Sequence, residues 1–515
     1  MPASGIRNTL KPPMLAKVYT AANDGFAGQI VETECDMSKG LPGITVVGLP
    51  NKAIDEAKER VRSAIKNSRL ELPRKRITLN LAPADLPKDG TAYDIPLAVA
   101  ILAASEQIDT GALAKSVFVG ELALNGTLRP VPGILNYVQT AAQAGFKRIF
   151  IPAACQDEAR LISGIKIYPV KNLRALYRHL VGERSLTVAP TLRRLPRNTQ
   201  AEFDLADVHG QQQAKRALEI AAAGAHNILL SGPPGSGKTM LARCLTSILP
   251  PPTREEIVAI TKLHSLGSAH DYRIVTTRPF RAPHHTTSDI AIIGGGTNPT
   301  PGEISLAHHG ILFLDELPEF RRHVLEVLRQ PLEDGTVTVA RAKRSVTYPA
   351  EFMLVATQNP CPCGFLGDER RECSCDQAAI SRYQKKVSGP LLDRIDMHVT
   401  VGRVEHTKLL APPAGEPSRT IAGRVKRARE RAHRRSHYPN AKLNNQAVRR
   451  YCRTDATTAE LLAQAMQRLD LSARGYIRTL KVARTIADLD DSEEIKVTHV
   501  SEALQYRQPA HTSTE

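Results

Sequence analysis

Short apolar runs alternate with amphipathic stretches through the first third of the chain. The runs GITVVGL, RITLNLA, SVFVGELAL and KRIFIPA read as strands, whereas Ile54, Ala57, Val61, Ala64 and Ile65 recur on one helical face, and a further helix is expected near 137–144. This pattern predicts a compact α/β or α+β unit over 1–181. The stretch ERSLTVAPTLRRLPRNTQAEFDL mixes proline, charge and polar residues without periodicity, which predicts a linker over 182–203. From 204 to 403 the order is strand, glycine-rich turn, helix, then the strand-like runs ILFLDE and FMLVATQN, as expected for a parallel sheet with crossover helices. A second linker, containing LLAPPAGEPS, is expected over 404–420. A helical region then follows over 421–507, with Ile477, Leu480, Ala483, Ile486 and Ala487 as its buried stripe, before a tail at 508–515. No tandem repeat is evident.

A chain of 515 residues exceeds what one core supports, consistent with three domains, and its 42% hydrophobic content suffices to fill them. The longest apolar run, 95–104, is too short to span a bilayer, and the first residues lack a signal-peptide layout, so a cytoplasmic protein is expected. Four of the eight cysteines fall between Cys361 and Cys375, which suits a reducing compartment with one local cysteine site better than a disulfide framework. The net charge of +17 favours a polyanionic partner such as nucleic acid, with a generally basic proteome as the other reading. With aromatics at 4% and no Trp, stacking platforms for single-stranded bases are not evident.

The strongest chemical signal follows the strand NILLS. Gly232, Pro233, Pro234, Gly235, Ser236, Gly237, Lys238 and Thr239 match the P-loop pattern GxxxxGK[ST] in its strand–loop–helix setting. Glycines let backbone N–H groups approach phosphate oxygens, Lys238 is suited to reach the outer phosphates of ATP, and Thr239 to ligate Mg2+. Asp315 and Glu316 end the run ILFLDE, where one carboxylate can hold the Mg2+ shell and the other polarise the attacking water. Thr357, Gln358 and Asn359 end the next strand, and an amide at Asn359 can sit between the γ-phosphate and that water; alone, it would read as a turn former.

Cys361-x-Cys363, nine residues, then Cys373-x-Cys375 place four soft ligands in one loop. Four thiolates favour tetrahedral Zn2+, although the C-x-C spacing departs from the commoner C-x2-C, and free thiols in an exposed loop are the competing reading. The adjacent pairs His284-His285 and His308-His309 diverge along a strand and read as structural. Two basic stretches stand out. Arg341, Lys343 and Arg344 lie between two β-like runs in EDGTVTVARAKRSVTYPAEF, and 423–435 holds seven Lys/Arg against Glu430 alone. Either can contact DNA phosphates or remain merely solvated. The run IIGGGTNPTPGE reads as a mobile loop or a passive turn.

The P-loop, the DE strand and Asn359, in this order, resemble the AAA+ superfamily, in the branch of the magnesium chelatase subunits and MCM helicases. Over nearly the full length, the strings FRAPHH, NPCPCG, SGPLLDRID and ARTIADL are similar to those of the magnesium-chelatase-like ATPases of the ComM/YifB family. The resemblance implies an α/β protein with an AAA+ P-loop core, a Lon-protease-like N-terminal α/β domain and a helical C-terminal lid. It implies that Asn359 is the sensor-1 residue, that Arg394 is an arginine finger reaching a neighbouring subunit's γ-phosphate, and that Arg474 is the sensor-2 residue in a hexameric ring. A salt bridge from Arg394 to Asp393 or Asp396 is the alternative, and Arg382 is a weaker competitor. The basic segment around Arg341, Lys343 and Arg344 resembles a pre-sensor-1 hairpin that projects into the ring channel. PKDGTAYDIP resembles the Lon segment carrying the nucleophilic serine, but Ala92 stands in its place; in GTLRPVPGILNY, Leu135 takes the place of the lysine. Neither side chain can attack or deprotonate, so the domain is expected to be non-proteolytic. The family implies a DNA translocase or helicase acting by branch migration in homologous recombination and natural transformation, with other recombination proteins as further partners; a chelatase-type or protein-remodelling motor is the alternative.

Overall fold

The computed structural model describes residues 15–48, 52–84, 86, 91–192, 195, 202–267, 273–296, 299–341, 344–368, 370–404, 415–469 and 471–507. The chain divides into two compact units, Met1–Pro196 with Ile257–Val275, and Arg197–Glu256 with Thr276–Glu515. The sequence had suggested one continuous domain over 204–403, whereas 257–275 belongs with the first unit.

The first unit is built on a seven-stranded mixed sheet. Its order is Gly43–Val47, Arg76–Ala82, Ala27–Ser38, Ala16–Asp24, Ser116–Phe118, Arg148–Pro152 and Lys166–Val170. The expected strands are all present, joined by a long antiparallel hairpin, Ala16–Asp24 with Ala27–Ser38, that apolar alternation alone had left largely unmarked. Ile54, Ala57, Val61, Ala64 and Ile65 form the buried face of the helix Lys52–Asn67. The apolar run at 95–104 lies in the helix Asp94–Ala104, all eleven residues of which are buried, as befits a helix that is apolar on every face. At its start the buried Asp94 carboxylate accepts from Arg60 Nε at 2.8 Å, Arg60 Nη2 at 3.0 Å and the Leu122 N–H at 2.9 Å. Ala92 and Leu135 are both buried among apolar side chains.

The segment 257–275 completes this unit. Ile257 buries against Leu135 and Leu161, and Ser265 Oγ accepts from the Gly133 N–H at 3.0 Å while donating to Glu158 Oε2 at 3.1 Å. Lys262 donates to Gln139 Oε1 at 2.9 Å and stands 4.0 Å from the centre of the Phe26 ring; burial pulls its ammonium down to about 8. The expected linker is structured over its first part, since the Ala189 N–H bonds the Ile167 carbonyl and Leu192 N–H the Arg160 carbonyl.

The second unit holds a parallel sheet of five strands in the order Phe280–Arg281, Ile311–Leu314, Met353–Gln358, Ile228–Ser231 and Met397–Thr400. Strands covered on both faces are apolar throughout, which is why ILFL and MLVA appear as unbroken runs. The helices Gln212–Gly224 and Lys238–Ile248 share one apolar core with the C-terminal helices Ser418–Ser436 and Ala473–Leu489. Within the expected stripe Leu480, Ala483, Ile486 and Ala487 are buried and Ile477 is half-buried. Among the described residues, no helix is long and apolar enough to cross a membrane.

Removing one partner of a buried ion pair strands the other. Asp94→Ala is expected to destabilise the first unit by about 3–5 kcal/mol, measured by denaturant unfolding.

Candidate functional site

The strand Ile228–Ser231 delivers the chain to the C-terminal edge of the sheet. Gly232 follows at a point where an added Cβ would stand 2.1 Å from the Val401 carbonyl oxygen, so only glycine fits. Gly235 and Gly237 adopt left-handed conformations, φ +76° and +87°, with open space where a Cβ would sit. The helix Lys238–Ile248 starts there and aims its N-terminal N–H groups into the turn. The Ser236 hydroxyl in this turn is buried without a hydrogen-bond partner. Lys238 Nζ donates to the carbonyls of Gly232 at 2.7 Å and Pro233 at 2.9 Å and to Asn359 Oδ1 at 3.2 Å. Burial lowers the Lys238 ammonium, while the charges of Asp315 and Glu316 oppose that shift.

Asp315 and Glu316 follow the buried strand Ile311–Leu314. Thr239 Oγ1 donates to Asp315 Oδ2 at 3.1 Å, and Thr357 Oγ1 donates to Asp315 Oδ1 at 2.5 Å. The same Thr357 hydroxyl accepts from the Glu316 N–H at 2.9 Å, holding Glu316 at φ +55°, a backbone region that side-chain-bearing residues seldom occupy. Lys238, Thr239, Asp315, Glu316 and Asn359 thus meet at one edge. Thr357 joins them, although in the sequence it had stood out only as part of a strand end.

Arg394 and Arg474 form a second cluster. Arg394 is buried, donates to the Pro390 carbonyl at 2.7 Å and pairs with Glu333 Oε1 at 2.5 Å. Arg474 is mostly exposed and lies 3.6 Å from that same oxygen. The partners considered from sequence are otherwise engaged: Asp393 is exposed, while Asp396 accepts from Asn227 N–H at 3.0 Å and pairs with Arg478 and His226. Burial alone would raise the Asp396 carboxyl, but the His226 hydrogen bond and the Arg478 charge hold it well below the carboxylate range. Arg382 is exposed, its Nε 3.4 Å from the Ala378 carbonyl of its own helix. Glu333 is the element that sequence reasoning missed here.

The basic run around 341–344 folds as a two-stranded antiparallel ribbon, Thr336–Arg341 with Arg344–Pro349, in which Arg341 is paired with Arg344; Lys343 lies outside the described residues. Val337, Val339, Val346 and Tyr348 bury one face of it. The glycine-rich run makes a small antiparallel pairing, Gly294–Gly295 with Thr300–Pro301. In the helix Ser418–Ser436 most of the cations of 423–435 have partners within the unit: Arg424 is held by Glu219 and Glu416, Arg429 by the Ala222 carbonyl, Arg431 by the Asp488 carbonyl, Arg434 by the Glu430 carbonyl and Arg435 by the Asp488 carboxylate. Much of that charge serves packing.

Cys361, Cys363, Cys373 and Cys375 converge, with all four sulfurs within 4.8 Å of one another. The sulfur separations, 3.4 Å for Cys361–Cys363 and 3.6 Å from Cys373 to each of them, approach the roughly 3.8 Å edge of a tetrahedron with Zn–S bonds of about 2.3 Å. The donor set fits a soft tetrahedral ion. Among the described residues it is the one cluster of three or more metal-ligating side chains of this kind, and neither histidine pair belongs to it. His308 and His309 stack at 3.8 Å, with His308 Nδ1 accepting from the Glu351 N–H at 3.0 Å.

Three family models match the chain: magnesium chelatase, subunit ChlI, over 204–409; subunit ChlI of Mg-chelatase over 33–155; and the ChlI C-terminal region over 415–507. The uncharacterized protein YifB of Escherichia coli is 44% identical over 96% of this chain and 97% of its own length. Competence protein ComM of Haemophilus influenzae is likewise 44% identical, with the same coverage. The chain belongs to the magnesium-chelatase-like ComM/YifB family. A more distant relative, the chloroplastic magnesium-chelatase subunit ChlI of Nicotiana tabacum, is 25% identical over 50% of the chain and 62% of its own length. ComM/YifB proteins of this type are AAA+ ATPases, which implies ATP and Mg2+. The site fits both: an N–H-lined turn with space above its glycines, an unsatisfied buried hydroxyl at Ser236, and a hydroxyl–carboxylate pair at Thr239 and Asp315.

Thr357→Val removes the hydroxyl that binds both acidic residues and is expected to lower ATP hydrolysis by about 10–100-fold, whereas Thr357→Ser retains most of it, as read by steady-state phosphate release. For Asp396, whose folded-state carboxyl is depressed, the stabilisation is present above the unfolded-state value of about 4 and is lost as pH falls through the lower folded value. Asp396→Asn should therefore flatten the acid limb of the stability profile, as followed by denaturant midpoints between neutral and acidic pH.

Proposed function

We propose that this ComM/YifB-family chain is an ATP-driven DNA translocase that works in the cytoplasm as a hexameric ring and promotes branch migration in homologous recombination and natural transformation. The observation that carries the reading is the occurrence in one unit of the Lys238, Thr239, Asp315, Glu316 and Asn359 cluster and of the ribbon Thr336–Arg341/Arg344–Pro349, whose sequence is basic at 341–344. The net charge of +17 and the competence protein among the relatives support it.

In this reading, Lys238 exchanges the carbonyls of Gly232 and Pro233 for phosphate oxygens, and the N–H groups of the glycine turn surround the phosphate chain. Thr239 and Asp315 hold Mg2+, which when bound neutralises phosphate charge. Glu316, fixed through its backbone by Thr357, polarises water, and Asn359 orients it. Arg394 leaves Glu333 to stabilise phosphoryl charge on a neighbouring subunit, with Arg474 beside it. Arg341, Lys343 and Arg344 grip DNA phosphates without reading sequence. Cys361, Cys363, Cys373 and Cys375 hold structural Zn2+. The first unit, with Ala92 and Leu135 where a protease dyad would stand, shapes the ring without cutting peptide bonds. The similarity to magnesium-chelatase subunits supports a second reading, a motor for metal insertion or protein remodelling; the basic ribbon favours DNA.

Purified protein should hydrolyse ATP faster with branched DNA and move a three-strand junction. Lys238→Ala and Glu316→Gln should abolish movement, and Arg341→Ala with Lys343→Ala should reduce the salt slope of DNA binding by about 1–2. Movement persisting in Lys238→Ala, or none in the wild type at permissive salt, would overturn the reading.

A further inference from the structure

The cysteine loop is built against the phosphate loop. Cys361 follows Asn359, the acceptor of Lys238 Nζ, by two residues. Gly364, at φ +84°, approaches Pro234 so closely that an added Cβ would stand 2.6 Å from Pro234 Cδ and 2.7 Å from its Cγ. The far side of the loop is tied to the chain that follows the strand Met397–Thr400: Phe365 lies under the Arg371 and Arg403 guanidinium groups at 4.1 and 5.5 Å, and Arg403 Nε pairs with Asp368 Oδ2 at 2.8 Å. Gln384 Nε2 donates to the Pro360 carbonyl at 3.2 Å.

Little else defines the shape of this loop. Among the described residues, no helix or strand lies between Gln358 and Gln377, and the internal backbone bonds are few, such as Gly364 N–H to the Cys361 carbonyl at 3.0 Å and Asp368 N–H to the Phe365 carbonyl at 3.0 Å. The Cys363 N–H points at Cys375 Sγ, at 3.4 Å. A chain segment so sparsely bonded loses much conformational entropy on ordering, and a single four-thiolate centre offsets that loss by tying both ends together.

We propose that a soft tetrahedral ion of the Zn2+ class, held by Cys361, Cys363, Cys373 and Cys375, locks this loop as the back wall of the nucleotide site, so that metal occupancy sets how tightly the phosphate loop holds nucleotide. The metal fixes the position of Gly364, Gly364 limits the travel of Pro234, and Cys361 fixes the strand end that presents Asn359. The inference rests on the ATP-site reading above and adds a metal dependence to it. The ligand of the cysteine site is the ion alone; the nucleotide meets only the wall that the ion holds.

The test uses the full-length chain, purified with reductant. Zn2+ content is read by release to a chromogenic chelator, nucleotide affinity by titration with a fluorescent ATP analogue and Mg2+, and folding by circular dichroism. The wild type is expected to carry about one Zn2+ per chain, and stripping it, or Cys373→Ser, to weaken nucleotide binding by about tenfold or more, with re-added Zn2+ restoring the stripped wild type. Gly364→Ala is expected to keep its Zn2+ and still weaken nucleotide binding, because its Cβ meets Pro234. Unchanged affinity in folded, stripped protein overturns the inference, as does a wild type that binds nucleotide but takes up no offered Zn2+. If stripping unfolds the chain, Gly364→Ala decides: normal affinity with full Zn2+ content overturns it. A wild type that holds Zn2+ and binds no nucleotide refutes the ATP-site reading instead.

Discussion

Parallel strands in one sheet all finish at the same edge, and the chemistry of this chain is arranged along that edge. Ser231 lies in register with Gln358 on one side and Thr400 on the other, and Leu314 lies in register with Ala356. Gly232 therefore emerges beside Asn359, and Asp315 beside Thr357, although all are distant in sequence. Because the strands Ile311–Leu314 and Met353–Gln358 are buried on both faces, polar groups have little place within them and gather where they end. A slip of one residue between the strands Ile311–Leu314 and Met353–Gln358 would leave Asp315 and Glu316 without Thr357.

That arrangement explains what could be read from residues alone. The phosphate loop demands glycine, lysine and a hydroxyl at fixed spacing, and buried strands demand apolar runs, so both leave local marks. The same holds for the helix Lys52–Asn67, whose buried face is periodic, and for the cysteines, whose spacing is unusual wherever it occurs. Thr357 was not legible because its importance lies in a hydroxyl bridging two strands, which only their register reveals. Glu333 was not legible for a similar reason: the expected partners of Arg394 were sought one and two residues away, and the real one is far off along the chain. The basic helix Ser418–Ser436 misled by composition, since arginines that cap carbonyls and pair with Glu219 or Asp488 look the same in sequence as arginines facing solvent. The hairpin Ala16–Asp24/Ala27–Ser38 mixes small and polar residues, so its alternation is faint.

The cations on which the proposed cycle depends share one condition. Lys238 is satisfied by two carbonyls and an amide oxygen of its own surroundings, and Arg394 by a carbonyl and Glu333. Each is a buried or half-buried charge that would be costly if left alone, and in the proposed cycle each would trade its present acceptors for phosphate oxygens. Ligand engagement in this fold is then an exchange of partners with little net change in solvation. That is a reason for such side chains to be both well ordered and responsive.

Because residues 257–275 belong to the first unit, that unit cannot be excised as one continuous fragment. The first unit is not a contiguous stretch of coding sequence: Ile257, Lys262 and Ser265 supply the apolar contact, the amide partner and the hydroxyl that Leu135, Gln139 and Glu158 require. A fragment cut at the end of the N-terminal stretch would expose that seam, and a fragment of the remainder would carry an orphaned arm. Any dissection of the first unit must therefore keep 257–275 together with the N-terminal stretch.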